Sequence, residues 1–308
     1  MDKIAFLFAG QGSQYPGMGK ELYEGSQKAR EVFDTAERLL PGIIERCFFG
    51  TKEELSVTVN TQPCLYTLDY ACAAALSEIG IRADFVAGFS LGELAAVAYS
   101  GMISFESGIR LVSERARLMH KCSGENPGAM IAVLGLDAEK VKSICEEFER
   151  VYAVNFNCPG QTVVAAGCEE LSRFTDRVSE SKGKAIRLPV SGGFHSPFMD
   201  KAAAEFSDVL RDCSFCDPSV PVYSNVTALP YSSDPKDLLC RQIKSPVLWQ
   251  KTVENMISDG CTVFIEAGAG RVLSGLVKKI SGAVTVCNVE DIESLKIAAD
   301  VLGGKSNA

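Results

Sequence analysis

The chain has 308 residues, 46% of them hydrophobic and 23% charged, with a formal net charge of −8. This is globular composition, neither disordered nor collagen-like, and the length allows one large domain or two smaller ones. The acidic balance argues against a nucleic-acid partner bound by broad phosphate neutralisation. No stretch of eighteen apolar residues encodes a membrane span.

In chain order, Lys3–Ala9 reads as a buried strand ending in the turn Gly10-Gln11-Gly12-Ser13-Gln14, followed by a helical pattern from about Gly19 to Leu40. A second helical pattern runs from about residue 64 to Ile79, then strand Asp84–Phe89 and the Ala- and Leu-rich helix Leu91–Ser100. Strands alternating with helices indicate a parallel α/β sheet. From Ala129 the rhythm changes: strand, helix, two strands joined at Asn157-Cys158-Pro159-Gly160, helix Glu169–Lys182, strand Lys184–Val190. This β-α-β-β-α-β order is that of a ferredoxin-like unit. The α/β pattern then resumes with a helix to Leu210 and strands Val220–Ser224 and Thr262–Glu266. The expected organisation is a large α/β-hydrolase-like domain of residues 1–124 and 192–308, with residues 125–191 inserted as the small domain. Hinges are expected at 123–128 and at Ser191-Gly192-Gly193.

Twelve cysteines accompany only two histidines, His120 and His195. The single CxxC, Cys213–Cys216, has no second pair or nearby histidine, so a packing role outweighs a metal site. The other cysteines lie in apolar stretches, where a thiol acts as a small hydrophobe. With only six apolar residues at Ile4–Ala9 there is no signal-peptide core, and reduced thiols in the cytoplasm are expected.

Gly88-Phe89-Ser90-Leu91-Gly92 fits the GxSxG elbow, in which a sharp strand-to-helix turn projects the serine oxygen. A bare GxSxG also occurs by chance, and Ser90 as an ordinary turn residue is the competing reading; the strand before and helix after favour the nucleophile. Of the two possible bases, His120 ends a helix beside Lys121, whereas His195 lies in a loop at the domain junction. No histidine follows His195, which departs from the Ser, acid, late-His order of ordinary α/β-hydrolases. On the helix Gly108–Lys121, Arg110, Glu114, Arg117 and Lys121 share a polar stripe, while Arg115 falls among Val112, Ala116 and Met119. An inward arginine needs an anion, either a protein carboxylate or a substrate carboxylate.

Together, Gly10-Gln11-Gly12-Ser13-Gln14, Gly88-Phe89-Ser90-Leu91-Gly92-Glu93 and Gly193-Phe194-His195 resemble the malonyl-CoA:acyl-carrier-protein transacylase family, as do Val154–Gln161, Ser245–Trp249 and Glu266–Gly270. The resemblance implies malonyl transfer from malonyl-CoA to the phosphopantetheine thiol of an acyl carrier protein in fatty acid biosynthesis, by a ping-pong cycle without a cofactor. Ser90 would be the nucleophile and His195 the base. The backbone N–H groups of Gln11 and Leu91 would hold the oxyanion, and Arg115 the malonyl carboxylate. The main-chain carbonyl of Leu248 would orient His195. Phe89 replaces the family's usual histidine, and Phe194 resembles the malonyl-selective pattern of polyketide acyltransferases. The partners implied are the carrier protein and a coenzyme A thioester, and a monomer is expected. Lys278 with Lys279, or Lys182 with Lys184, are candidates for carrier docking or are simply solvated charges. The alternatives are a serine thioester hydrolase, a trans-acting polyketide malonyltransferase and a non-catalytic carrier-binding subunit.

Overall fold

The computed structural model describes residues 2–190, 192–231 and 234–303. The first part of the chain forms β1 (Lys3–Phe8), α1 (Lys20–Gly25), α2 (Gln27–Leu39), α3 (Ile43–Phe49), α4 (Lys52–Ser56), α5 (Thr58–Glu78), β2 (Phe85–Gly88), α6 (Gly92–Tyr99) and α7 (Phe105–Glu125). Next come β3 (Gly128–Leu134), α8 (Ala138–Cys145), β4 (Val151–Cys158), β5 (Gln161–Gly167), α9 (Leu171–Glu180) and β6 (Lys184–Arg187). The chain closes with α10 (Asp200–Arg211), β7 (Val222–Tyr223), α11 (Lys236–Gln242), α12 (Trp249–Ser258), β8 (Cys261–Ala267), α13 (Val272–Ile280), β9 (Thr285–Val289) and α14 (Ile292–Gly303).

The larger sheet has the order β7-β2-β1-β8-β9, every pair parallel. Both faces are covered, which is why its strands read as apolar runs rather than as alternation. Successive residues of β1 still point to opposite faces. Phe6 and Phe8 join the core under α5, α6 and α7, while Ala5 and Leu7 meet Trp249, Val253 and Met256 of α12. The register sets Phe8 beside Gly88 and Ala267. The carboxyl ends of three central strands therefore open side by side, where sheets of this kind bind ligands.

The smaller sheet has the order β4-β5-β3-β6, all pairs antiparallel, with the β-α-β-β-α-β chain order of a ferredoxin-like unit. Its core, including Ile131, Val133, Val164, Phe174 and Val178, is separate from the other two. It is tied to the larger unit where Val247 bridges Asn155: Phe156 N–H donates to the Val247 carbonyl (2.9 Å) and Val247 N–H to that of Val154 (2.8 Å). That seam fixes one wall of the space above β1 and β2.

Some expected elements differ in extent. The helical pattern from Gly19 to Leu40 divides at Ser26, whose extended backbone lets its side chain accept the Ala29 N–H and cap α2. Strand Val220–Ser224 contracts to Val222–Tyr223, which pairs with β2 on one side and makes a single bridge, Tyr223 to Pro230, on the other. Of the hinge expected at Ser191-Gly192-Gly193, Ser191 lies outside the described residues. Among the described residues no helix is long and apolar enough to cross a membrane.

Candidate active site

Ser90 sits between β2 and α6 with φ 55°, in the left-handed region. Its flanking glycines are required by close approach. A Cβ on Gly88 would lie 1.8 Å from the Gly92 carbonyl carbon, and one on Gly92 would lie 2.2 Å from the Phe8 carbonyl oxygen. Only a chain without side chains at both places can turn this tightly against β1.

His195 also has a positive φ, 61°. Its backbone N–H donates to the Ile243 carbonyl (3.1 Å), and Ser196 caps the short turn Pro197–Met199 that follows. The imidazole is buried, with Nε2 2.7 Å from Ser90 Oγ and Nδ1 2.8 Å from the Gln242 carbonyl oxygen. A carbonyl only accepts, so Nδ1 carries the proton and Nε2 is left bare toward the serine hydroxyl. Burial, reinforced by the Arg115 charge, pushes His195 down to about 4. It is neutral at pH 7 and ready to take a proton.

This carbonyl corrects one expectation. Leu248 does not orient the histidine; its carbonyl accepts from Thr252 N–H (2.9 Å) and Thr252 Oγ1 (3.0 Å) as α12 begins. An oxygen engaged with its own helix is unavailable, and the partner comes instead from Gln242, the last residue of α11.

Arg115 is buried on the inner face of α7. Its Nη1 donates to Gln62 Oε1 (2.8 Å), and its Nη2 to Gln242 Oε1 (2.8 Å) and Ser90 Oγ (3.3 Å). Among the described residues no carboxylate forms an ion pair with it. Two neutral amides hold the guanidinium, and burial lowers its pKa to about 10 with the Glu93 charge opposing. The spacing of α7 left a protein carboxylate and a substrate carboxylate equally open; among the described residues the first is absent, which leaves a buried cation facing Ser90.

Beneath the pair lies a polar network with no local signature in the sequence. Gln242 Nε2 donates to the Ser90 carbonyl (2.5 Å) and to Glu93 Oε2 (2.9 Å), while Glu93 Oε1 accepts from Asn225 N–H (3.1 Å) and Tyr231 Oη (2.5 Å). Burial pushes Glu93 up to about 7 against the pull of those donors. Only Glu93 stood out, as the residue closing the Gly88–Gly92 motif.

Gln11, Ser90, Leu91, Arg115, Phe194 and His195 line one small cavity of about 70 Å³. Neither the Gln11 nor the Leu91 backbone N–H donates to an acceptor among the described residues. A second cavity of about 220 Å³ shares Gln11, Phe89, Asn155 and Leu188 with the first and runs past Asn157 to Gln161 and Val272. A larger cleft of about 620 Å³ beside α2 and α5 contains none of these groups. Phe89 packs edge-on against Trp249, centroids 5.4 Å apart, so an apolar contact serves where a histidine was the pattern. His120 is exposed at the far side of α7. Among the described residues no group of His, Cys, Asp or Glu is placed to hold a metal ion. The CxxC cysteines Cys213 and Cys216 lie half-buried and exposed.

A serine on a strand-to-helix elbow, paired with a neutral histidine below a parallel sheet's carboxyl edge, defines an acyl-transferring enzyme of the serine type. Residues 5–300 match the acyl transferase domain family. The chain is 41% identical to the malonyl CoA-acyl carrier protein transacylase of Bacillus subtilis (strain 168), covering 98% of each. The transacylase structure from Clostridium perfringens superposes with a TM-score of 0.95 at 38% identity, covering 99% of this chain and 98% of that one. A malonyl-transacylase solved with its type II PKS acyl carrier protein gives 0.94 at 35%, covering 97% and 100%. The chain belongs to the malonyl CoA-acyl carrier protein transacylase family of acyltransferases.

Proposed function

We propose that the protein moves a malonyl group from malonyl-CoA to the phosphopantetheine thiol of an acyl carrier protein through a malonyl ester on Ser90. The observation that carries this is Arg115, a buried guanidinium without a carboxylate among the described residues, 3.3 Å from the nucleophilic oxygen. It awaits a carboxylate on the acyl group itself, which malonyl supplies and acetyl lacks.

In the first half-reaction Ser90 Oγ attacks the thioester carbonyl as its proton passes to His195 Nε2. The N–H groups of Gln11 and Leu91 receive the negative oxygen. The C–S bond then breaks, and the departing sulfur takes the proton back from His195. In the second half the carrier thiol gives its proton to His195, attacks the ester carbonyl, and Ser90 leaves reprotonated. Arg115 clamps the carboxylate throughout. No cofactor takes part.

The 220 Å³ cavity is the access for the pantetheine arm. Its buried Asn155 and Asn157 Oδ1 atoms lack hydrogen-bond donors within the described residues, which suits them to the arm's amide N–H groups. Lys279 Nζ contacts Gln161 Oε1 (3.4 Å) at that wall, so Lys278 and Lys279 favour docking of an acidic carrier there. We further propose that the protein acts as a monomer. Buried free thiols such as Cys64, Cys72 and Cys122 suit the reducing cytoplasm. Residues 125–191 act as the inserted small domain. We assign the product to fatty acid biosynthesis.

Incubation with malonyl-CoA followed by peptide mass spectrometry is expected to find a malonyl ester on Ser90 that a holo carrier protein discharges. No adduct, or discharge only to free malonate, would overturn the proposal, the latter in favour of a thioester hydrolase.

A further inference from the structure

The Ser90 turn is held in the left-handed region, a conformation a serine rarely adopts unaided. The register that sets Ala87 beside Tyr223 carries the chain beyond β7 to Asn225, next to the elbow. Asn225 is fully buried, and its side chain spans the turn: Oδ1 accepts the Ser90 N–H (2.7 Å) and Nδ2 donates to the Gly88 carbonyl (2.7 Å). Its own backbone is pinned at both groups, N–H to Glu93 Oε1 (3.1 Å) and carbonyl to Leu248 N–H (2.9 Å).

We infer that Asn225 is a positioning residue for the acyl transfer, a clamp that locks the nucleophile elbow and fixes which backbone amide faces the oxyanion. The inference rests on Ser90 being the nucleophile. With Oδ1 committed to the Ser90 N–H, the elbow amide left without an acceptor among the described residues is that of Leu91. An amide side chain is required, since it must accept from one side of the turn and donate to the other. An ionised carboxylate in its place accepts the Ser90 N–H but repels the Gly88 oxygen, and only its protonated form can restore both contacts. An alanine restores neither.

The test compares wild type, Asn225→Ala and Asn225→Asp. One readout is the pre-steady-state burst of CoA from malonyl-CoA; the other is the rate of Ser90 phosphonylation by a fluorophosphonate, which needs no malonyl group. Asn225→Ala is expected to slow both by about 100-fold, with malonyl-CoA Kd within about threefold of wild type. Asn225→Asp is expected to be impaired at pH 8 and to regain phosphonylation rate relative to wild type as pH falls. Glu93, whose Oε1 accepts the Asn225 N–H, titrates together with the introduced carboxyl and favours its protonated form, so the recovery reports that coupled pair. Wild-type rates in a folded Asn225→Ala protein would overturn the inference. So would an Asn225→Asp profile parallel to wild type, and that variant decides the matter if alanine prevents folding. Phosphonylation without malonylation of the wild type would instead sink the malonyl proposal and leave the clamp standing.

Discussion

The main-chain carbonyl of Gln242 lies 2.8 Å from Nδ1 of His195 and takes the place a triad carboxylate has elsewhere. A neutral dipole fixes the tautomer without a negative charge to raise the imidazole pKa, and burial and Arg115 lower it to about 4. The folded pKa lies below the unfolded one, so the neutral, active form is retained as pH falls through 6.5 and is lost only near 4. Acylation kcat/KM should therefore be level from about pH 7 to about pH 5 and fall below that. A pH profile of the CoA burst checks this; a drop centred near 6.5 would contradict it.

Replacing His195 should be far more damaging than replacing His120, which is exposed and does not line the cavity. His195→Ala is expected to slow Ser90 acylation by about 10²–10⁴-fold, while His120→Ala remains at the wild-type rate. Single-turnover measurements on the two variants separate them directly.

Arg115→Ala removes the buried cation of the cavity. The loss should fall on malonyl-CoA, by about two to four orders of magnitude in kcat/KM, because breaking a buried charge pair costs about 3–5 kcal/mol. Acetyl-CoA has no carboxylate to lose and should be used as well as before, or better. Competition between the two thioesters for loading of Ser90 reads the ratio; an equal loss for both would mean that Arg115 only supports the packing.

Much of this site was legible because its parts obey local rules. The elbow advertises Ser90 through glycines that a 1.8 Å approach demands, and helical spacing alone turns Arg115 inward on α7. The β-α-β-β-α-β order likewise foretells the smaller sheet. What escaped notice depends on distant chain segments meeting. Gln62, Asn225 and Gln242 come from α5, the segment after β7 and the end of α11, and nothing beside them in sequence marks an amide as structural. The Leu248 assignment failed for the same reason: which carbonyl reaches a loop histidine is set by where α11 ends, not by a pattern near α12.

A buried acid beside Ala9 and Gly268 gives the last test, one of stability. Asp69 on α5 is wholly buried, and neither oxygen has a hydrogen-bond partner of ordinary geometry among the described residues. A Cβ on Gly268 would lie 2.0 Å from its Oδ1, so the φ of 145° there and the carboxyl belong to one tight contact. Burial, with Glu266 adding to it, holds the Asp69 pKa well above its usual value, although the Ala9 backbone pulls the other way. An acid whose folded pKa is raised keeps its proton when folded and releases it when unfolded. Stability is complete below the unfolded pKa of about 3.9 and declines as pH rises toward the folded one, by up to about 1.4 kcal/mol per unit. Asparagine has nearly the same shape and no charge to bury, so Asp69→Asn should stabilise the protein, with a margin larger at pH 8 than at pH 5. Denaturant melts of both proteins at the two pH values measure the margin. A margin that is constant or shrinks with pH would show that Asp69 does not carry this linkage.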